Sequence, residues 1–141
     1  MVRILVVDDV PTSLEALDEA AKGEGREVLK AGGRDEAISL IQANDFDVVV
    51  TDLQLIEGDS TTGLEVLHEA IMKDPCTQVI VITSHDDPES STETMALGAY
   101  DYIVRGTVGV DVKAMLRIKI TRAMKYRDLL RTKNTTGAQH E

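Results

Sequence analysis

The chain has 141 residues, which suits a single globular domain, and its content of 43% apolar and 28% charged residues excludes a disordered protein. Its formal net charge is −10, and residues 1–110 hold 7 basic and 22 acidic side chains, an imbalance that argues against nucleic-acid binding. The first apolar run, residues 4–7, is too short for a signal peptide or a membrane span. Cys76 has no second cysteine with which to form an internal disulfide. We therefore expect a cytoplasmic protein without a membrane partner.

The first half of the chain alternates between strand-like and helix-like patterns. Residues 2–7 form a strand with a continuous apolar run, and Pro11 then suits the first turn of a helix whose apolar face continues to Ala21. Residues 26–31 are a more polar strand, residues 35–43 a second helix, and residues 46–51 a third strand. Because continuous β-branched strands are buried on both faces, residues 2–7 and 46–51 are predicted to lie inside a parallel sheet.

The second half of the chain repeats this alternation. Helices are predicted for residues 63–73, 88–97 and 112–131, and strands for the apolar residues 78–83 and the more polar residues 100–104. The sequence therefore predicts an α/β fold, a doubly wound five-stranded parallel sheet with helices on both faces, in which the two more polar strands lie near the edges. The basic residues 113–133 are interpreted as a solvated helix face, and residues 134–141 are expected to fray.

Polar side chains follow the predicted strands at the points where they end. Asp8 and Asp9 follow the first strand, Asp52 follows the third, Thr83 ends the fourth and Arg105 follows the fifth. The carboxyl ends of parallel strands meet at one edge of a sheet, about 4.8 Å apart, so these residues can converge. Three converging carboxylates require a cation, and Mg²⁺ is the usual partner of phosphoryl chemistry. One carboxylate could then attack phosphorus while Thr83 and Arg105 hold the phosphoryl oxygens.

Each of these signals also has a purely structural interpretation. Asp8 and Asp9 could cap the following helix, Asp52 could be a turn residue, Thr83 could be a cap, and Tyr102 could simply pack against the sheet. An unrelated enzyme is a further alternative, but residues 8–13 contain no glycine for a nucleotide-binding loop. It is the joint occurrence of these residues at successive strand ends that favours a chemical site.

Four segments together resemble the receiver domain of two-component response regulators. The resemblance spans residues 1–126, which leaves residues 127–141 as an extension of the last helix and a tail. The matching segments are Ile-Leu-Val-Val-Asp-Asp at residues 4–9, Val-Val-Val-Thr-Asp-Leu at 48–53, Val-Ile-Val-Ile-Thr-Ser at 79–84 and Ala-Leu-Gly-Ala-Tyr-Asp-Tyr at 96–102.

The resemblance implies a metal-dependent phosphoacceptor. By analogy with the family, Asp52 accepts the phosphoryl group and also contacts Mg²⁺. Asp9 binds Mg²⁺ directly, Asp8 helps through water, and the backbone carbonyl of Gln54 is a further ligand.

The resemblance also implies a switch. Thr83 is the switch hydroxyl, Tyr102 is the aromatic side chain that swings inward on activation, and Gln54 and His85 stand at the positions that tune dephosphorylation. Arg105 stands where the family has a catalytic lysine.

Two departures from the family pattern are visible in the sequence. The family usually has Lys-Pro after the fifth strand, where this chain has Arg105-Gly106, and an arginine is bulkier and forked. The glycine that follows the acceptor in the family corresponds to Gly63, which comes later here, so residues 57–62 are interpreted as an enlarged loop.

The resemblance implies a phosphorelay receiver rather than an enzyme, because the chain would catalyse only its own phosphotransfer and dephosphorylation. The expected partners are a sensor histidine kinase or phosphotransfer protein and an output domain or effector, and a homodimer is possible. The alternative is a pseudo-receiver that binds proteins independently of phosphorylation.

Overall fold

The sheet of the protein contains five parallel strands in the order β2-β1-β3-β4-β5. The computed structural model describes residues 1–56, 58–59, 61–84, 88–106, 108–109 and 111–139, with side chains as far as residue 133. The predicted fold class is confirmed, and the two more polar strands lie at the edges as predicted. The strands are β1 (Val2–Val7), β2 (Arg26–Ala31), β3 (Val48–Asp52), β4 (Gln78–Thr83) and β5 (Asp101–Val104).

Five helices accompany the strands. They are α1 (Pro11–Ala21), α2 (Arg34–Ala43), α3 (Thr61–Lys73), α4 (Pro88–Ala96) and α5 (Val112–Gln139). The last helix extends to Gln139, beyond the predicted end at residue 131 and through most of the segment that was expected to fray. The middle turns of α5 pack against the rest of the domain and keep the helix formed. Extending a formed helix by further residues costs less free energy than nucleating a new one.

The sheet has a hydrophobic core on each face because side chains alternate along every strand. Ile4 and Val6 of β1 pack on the side of α1 and α5, against residues such as Leu17 and Leu116. Leu5 and Val7 point to the opposite side, where α2 and α3 contribute Ile41, Val66 and Leu67. Each of the three central strands is therefore buried on both faces, which explains the continuous apolar run within its sequence.

Ion pairs attach the middle of α5 to the end of the sheet that lies opposite the strands' carboxyl ends. The Arg127 side chain is only 6% exposed, and its guanidinium lies 2.5 Å from Asp47 and 3.6 Å from Asp74. Arg131 adds a 3.0 Å hydrogen bond to Asp74. The predicted domain boundary at residue 126 thus falls inside α5, directly before a buried contact. Arg127 also departs from the solvated face that the basic composition of this helix predicts.

Asp74 responds electrostatically to these neighbours. Burial acts to raise the pKa of Asp74, but the amide of Cys76 and the charges of Arg131 and Arg127 together hold it below its ordinary value.

Among the described residues, no helix combines the length and apolarity that crossing a membrane requires.

Candidate functional site

A cleft of about 310 Å³ opens at the carboxyl ends of the strands. The strand ends bring the predicted residues Asp9, Asp52, Gln54, Thr83 and Arg105 to its walls, as the parallel topology requires. The remaining lining residues are Val10, Ser13 and Ser84.

Two polar residues of the cleft, Ser13 and Ser84, were not among the predicted site residues. Ser13 lies in the first turn of α1, where the sequence signals only the start of a helix. Its position one turn after Asp9 is the only signal that could have identified it.

Asp8, Asp9 and Asp52 form one acidic cluster. One carboxylate oxygen from each residue lies within 4.8 Å of the others. Asp8 is fully buried, Asp52 is nearly so, and Asp9 is exposed at the rim. The buried position of Asp8 follows from the sheet, because its amide continues the ladder of β1 by donating to the carbonyl of Ala31 at 3.2 Å.

The two buried carboxylates are oriented in the same way. Oδ1 of Asp8 accepts a hydrogen bond from the amide of Val10 at 3.0 Å, and Oδ1 of Asp52 accepts one from the amide of Gln54 at 2.9 Å. Each is the local turn contact that an aspartate makes to the backbone two residues on. The N-cap of α1 is Val10, without a side-chain cap bond, so neither Asp8 nor Asp9 caps that helix directly. Asp52 is a turn residue and a member of the cluster at once.

Arg105 connects the other oxygens of these carboxylates. Its Nη2 donates to Oδ2 of Asp8 at 2.9 Å, and its Nη1 donates to Oδ2 of Asp52 at 3.2 Å. Its backbone amide donates to the carbonyl of Thr83 at 2.7 Å, which fixes the start of the loop to the end of β4. Gly106 then adopts a φ of 79°, a left-handed conformation that the proline usual in this position cannot adopt.

The electrostatic environment of Asp52 disfavours its charge. Burial raises the pKa of Asp52, and the neighbouring charges of Asp8 and Asp9 act in the same direction. The hydrogen bond from Gln54 and the charge of Arg105 oppose this effect without cancelling it. A bound cation would relieve the cost of ionising this carboxyl group.

Tyr102, one of the two predicted switch residues, does not line the cleft. Tyr102 lies on β5 beside Val81 of β4, partly buried, and packs against the core on the side of α2 and α3. Thr83 is fully buried at the end of β4 and does line the cleft. His85 lies outside the described residues.

The loop after Asp52 is held against α3 by two neighbouring residues. The hydroxyl of Thr62 accepts a hydrogen bond from the amide of Leu55 at 2.9 Å and donates to the carbonyl of Asp59 at 2.8 Å. The amide of Gly63 donates to the carbonyl of Leu53 at 2.9 Å. Helix α3 begins at Thr61, two residues before the predicted start, so the last two residues of the predicted enlarged loop belong to the helix. Gly58, which lies in the same predicted loop, has a φ of 79°. Sequence reasoning singled out Gly63 but missed Thr62.

The chain matches a known sequence family over most of its length. Residues 4–117 match the profile described as response regulator receiver domain. The alginate biosynthesis transcriptional regulatory protein AlgB of Pseudomonas aeruginosa is 33% identical over 103 residues, which cover 73% of this chain and 22% of that protein. A cyclic di-GMP phosphodiesterase of Thermotoga maritima is 31% identical over 124 residues, which cover 88% of this chain and 31% of that protein.

Solved structures show the same architecture. A response regulator receiver domain protein from Clostridium thermocellum has a TM-score of 0.77 at 29% identity, over 92% of this chain and 99% of that one. The chain thus spans less than a third of each of the two curated relatives but nearly all of this structural neighbour.

Proposed function

The chain belongs to the response regulator receiver domain family, and on that premise we propose that it accepts a phosphoryl group on Asp52 from a histidine kinase or a phosphotransfer protein. The observation that carries this proposal is the clustering of Asp8, Asp9 and Asp52 within 4.8 Å, with Arg105 bonded to two of them. Family membership implies phosphorylation-based signalling, and the cluster supports assigning the chemistry to these residues.

The cluster fits Mg²⁺ because it offers carboxylate oxygens, the ligands that this cation prefers. Asp8, Asp9 and Asp52 would hold the ion, with the backbone carbonyl of Gln54 as a further ligand. When bound, Mg²⁺ would offset the negative charge that the carboxylates share with a phosphoryl group.

The transfer itself needs one nucleophile. A carboxylate oxygen of Asp52 would attack phosphorus, the P–N bond to the donor histidine would break as the P–O bond forms, and the histidine nitrogen would keep the electron pair. Arg105 would bond the phosphoryl oxygens, and the hydroxyl of Thr83 would donate to one of them. The chain would act only on its own phosphoryl group and would not be an enzyme for other substrates.

The signal would leave the site through Thr83 and Tyr102. Movement of Thr83 towards a phosphoryl group would alter the end of β4 and free space for the partly buried Tyr102 on the neighbouring strand. The surface formed by α4, β5 and α5 would then change shape for an output domain, an effector or a second copy of the chain. The curated relatives bear names that refer to transcription and to cyclic di-GMP hydrolysis, so the sequence family pairs this fold with more than one output.

The proposal is tested by intact mass measurement after incubation with acetyl phosphate and Mg²⁺. We expect a single labile phosphoryl adduct that is lost in Asp52→Asn and in the absence of Mg²⁺. Asp45→Asn is the matched control, since the Asp45 side chain is 80% exposed and outside the cluster, and it should form the adduct normally. An adduct that survives Asp52→Asn would overturn the assignment.

The second candidate function is a pseudo-receiver that binds partners without phosphorylation. The observation that favours it is Arg105, which already neutralises both buried carboxylates. Failure of both acetyl phosphate and the phosphoryl mimic beryllium fluoride to bind would support this candidate. A cytoplasmic location is proposed in either case, because the buried Cys76 is a free thiol.

A further inference from the structure

We propose that Arg105 is a positioning residue that competes with a divalent cation for the carboxylate oxygens of the acidic cluster. The cation reaches its full set of ligands only when the guanidinium releases Asp8. The inference rests on the metal site of the proposed function. It concerns what this chain's arginine does to that site, and not whether Asp52 is phosphorylated.

Arg105 already bonds one oxygen of each buried carboxylate. Each of Asp8 and Asp52 gives Oδ1 to a backbone amide and Oδ2 to one arm of the guanidinium. These are the two buried carboxylates of the three, so an incoming cation meets them already paired. Asp9 at the rim would be its first contact.

The shape of the Arg105 guanidinium suits it to bonding the two carboxylates at once. A guanidinium presents nitrogen donors in a rigid planar fork, so Arg105 can bond both carboxylates at hydrogen-bond distance. A lysine carries its three donors on one terminal nitrogen, so it could bond both carboxylates only from a single point between them and without the fixed geometry of the fork. Arginine also remains charged at any ordinary pH, so it cannot yield to a second cation by losing a proton. It has to move.

The side chain of Arg105 has space to move away from Asp8. The backbone of Arg105 is fixed by its bond to Thr83, but its side chain is 23% exposed. The same side chain lines a second, apolar groove of about 250 Å³ between α1 and α5, bounded by Leu17 and Leu116 among others. Rotation that lays the apolar stem of the side chain along that groove and leaves the guanidinium in solvent would free Oδ2 of Asp8 without moving the strands.

The experiment is titration calorimetry of Mg²⁺ into the unphosphorylated protein and three variants. Arg105→Lys keeps the charge and removes the fork, Arg105→Gln removes both, and Arg122→Lys is the matched control on the exposed face of α5. We expect Arg105→Lys to tighten Mg²⁺ binding by about tenfold, the change expected for losing one charge-assisted hydrogen bond, and Arg105→Gln to tighten it further. The control should bind like the parent protein.

A second readout is thermal unfolding with and without Mg²⁺. Arg105→Lys should melt below the parent protein without the ion and should gain more from adding it. Equal affinities in the parent and both Arg105 variants would overturn the inference and leave the metal site intact. Tightening in Arg105→Gln alone would also overturn it, since charge rather than the fork would then be responsible. Absence of Mg²⁺ binding in every variant would overturn both the inference and the metal site of the proposed function.

Discussion

Substitution of Gly63 by alanine tests how closely α3 approaches the phosphoacceptor loop. A Cβ at this position would lie 2.4 Å from the carbonyl oxygens of Asp52 and of Leu53, and 2.6 Å from the Leu53 Cα. Ordinary contacts between carbon and carbonyl oxygen are about 3.3–3.6 Å, so the helix start or the loop would have to move by about 1 Å. Both are backbone segments, and the hydrogen bond from the Gly63 amide to Leu53 joins them.

We estimate the cost in free energy of unfolding from three contributions. Overpacking of this kind costs about 3 kcal/mol when rigid atoms must move. The strained hydrogen bond adds about 1 kcal/mol, while the better helix propensity of alanine returns about 1 kcal/mol. We therefore expect Gly63→Ala to lower the free energy of unfolding by about 3 kcal/mol, and to slow adduct formation on Asp52 because the loop that begins there is displaced.

The assay is equilibrium urea denaturation followed by far-UV circular dichroism, which suits a chain without tryptophan. Gly33→Ala is the matched control, because Gly33 is in an extended conformation at the start of α2 and a Cβ there meets nothing within 4 Å. Alanine reduces the entropy of the unfolded chain but is a poorer N-cap residue than glycine, and these effects oppose each other, so the control should stay within about 0.5 kcal/mol of the parent protein. If the two variants were equally stable, the close approach of α3 to the loop would not be a constraint and the reasoning would be refuted.

Three further predictions concern residues that hold the fold around the site. Arg127→Ala should cost about 3 kcal/mol in urea denaturation because it removes the buried guanidinium that pairs with Asp47 and the packing of its stem. The half-exposed Arg131→Ala should cost less than about 1 kcal/mol, and equal losses would contradict the buried ion pair. Asp74 has a lowered pKa, so its ionised form stabilises the protein above the ordinary aspartate range and this stability is lost as pH falls through the lowered pKa. Asp74→Asn should therefore lower the melting temperature at neutral pH and have no effect in strong acid, and a difference that widened in acid would oppose this. Thr62→Val should cost about 1–2 kcal/mol in urea denaturation by leaving the Leu55 amide without its acceptor, and Thr62→Ser should recover most of the loss.

Much of the fold and of the site could be predicted from the sequence because both depend on local pattern. Continuous β-branched runs distinguish the three central strands, and the parallel topology then brings Asp8, Asp52 and Arg105 to one edge. What could not be predicted depends on contacts between distant residues. Arg127 is one of several basic residues of α5, and its sequence surroundings do not distinguish it from the exposed ones. It is buried because Asp47 and Asp74 lie beside it in the folded chain.

Details of orientation were also beyond the sequence. Arg105 bonds two carboxylates at once because of the rotamers of three side chains. The spacing of these residues along the sequence does not predict those rotamers. The role of Thr62 depends on the path of the loop before α3, where the sequence indicates only that residues have been added.

The alternation of side chains between the two cores has a consequence for how this chain can change in length. Asp52 extends the face of β3 that carries Val48 and Val50, while Val49 belongs to the other core. Removal of one residue within β3 would exchange the two faces and turn the carboxylate away from the cleft. Insertions and deletions are therefore expected to accumulate between strands in related sequences, as in the segment before Gly63. The strands themselves should keep the same number of residues in related sequences, even at positions where one apolar residue replaces another.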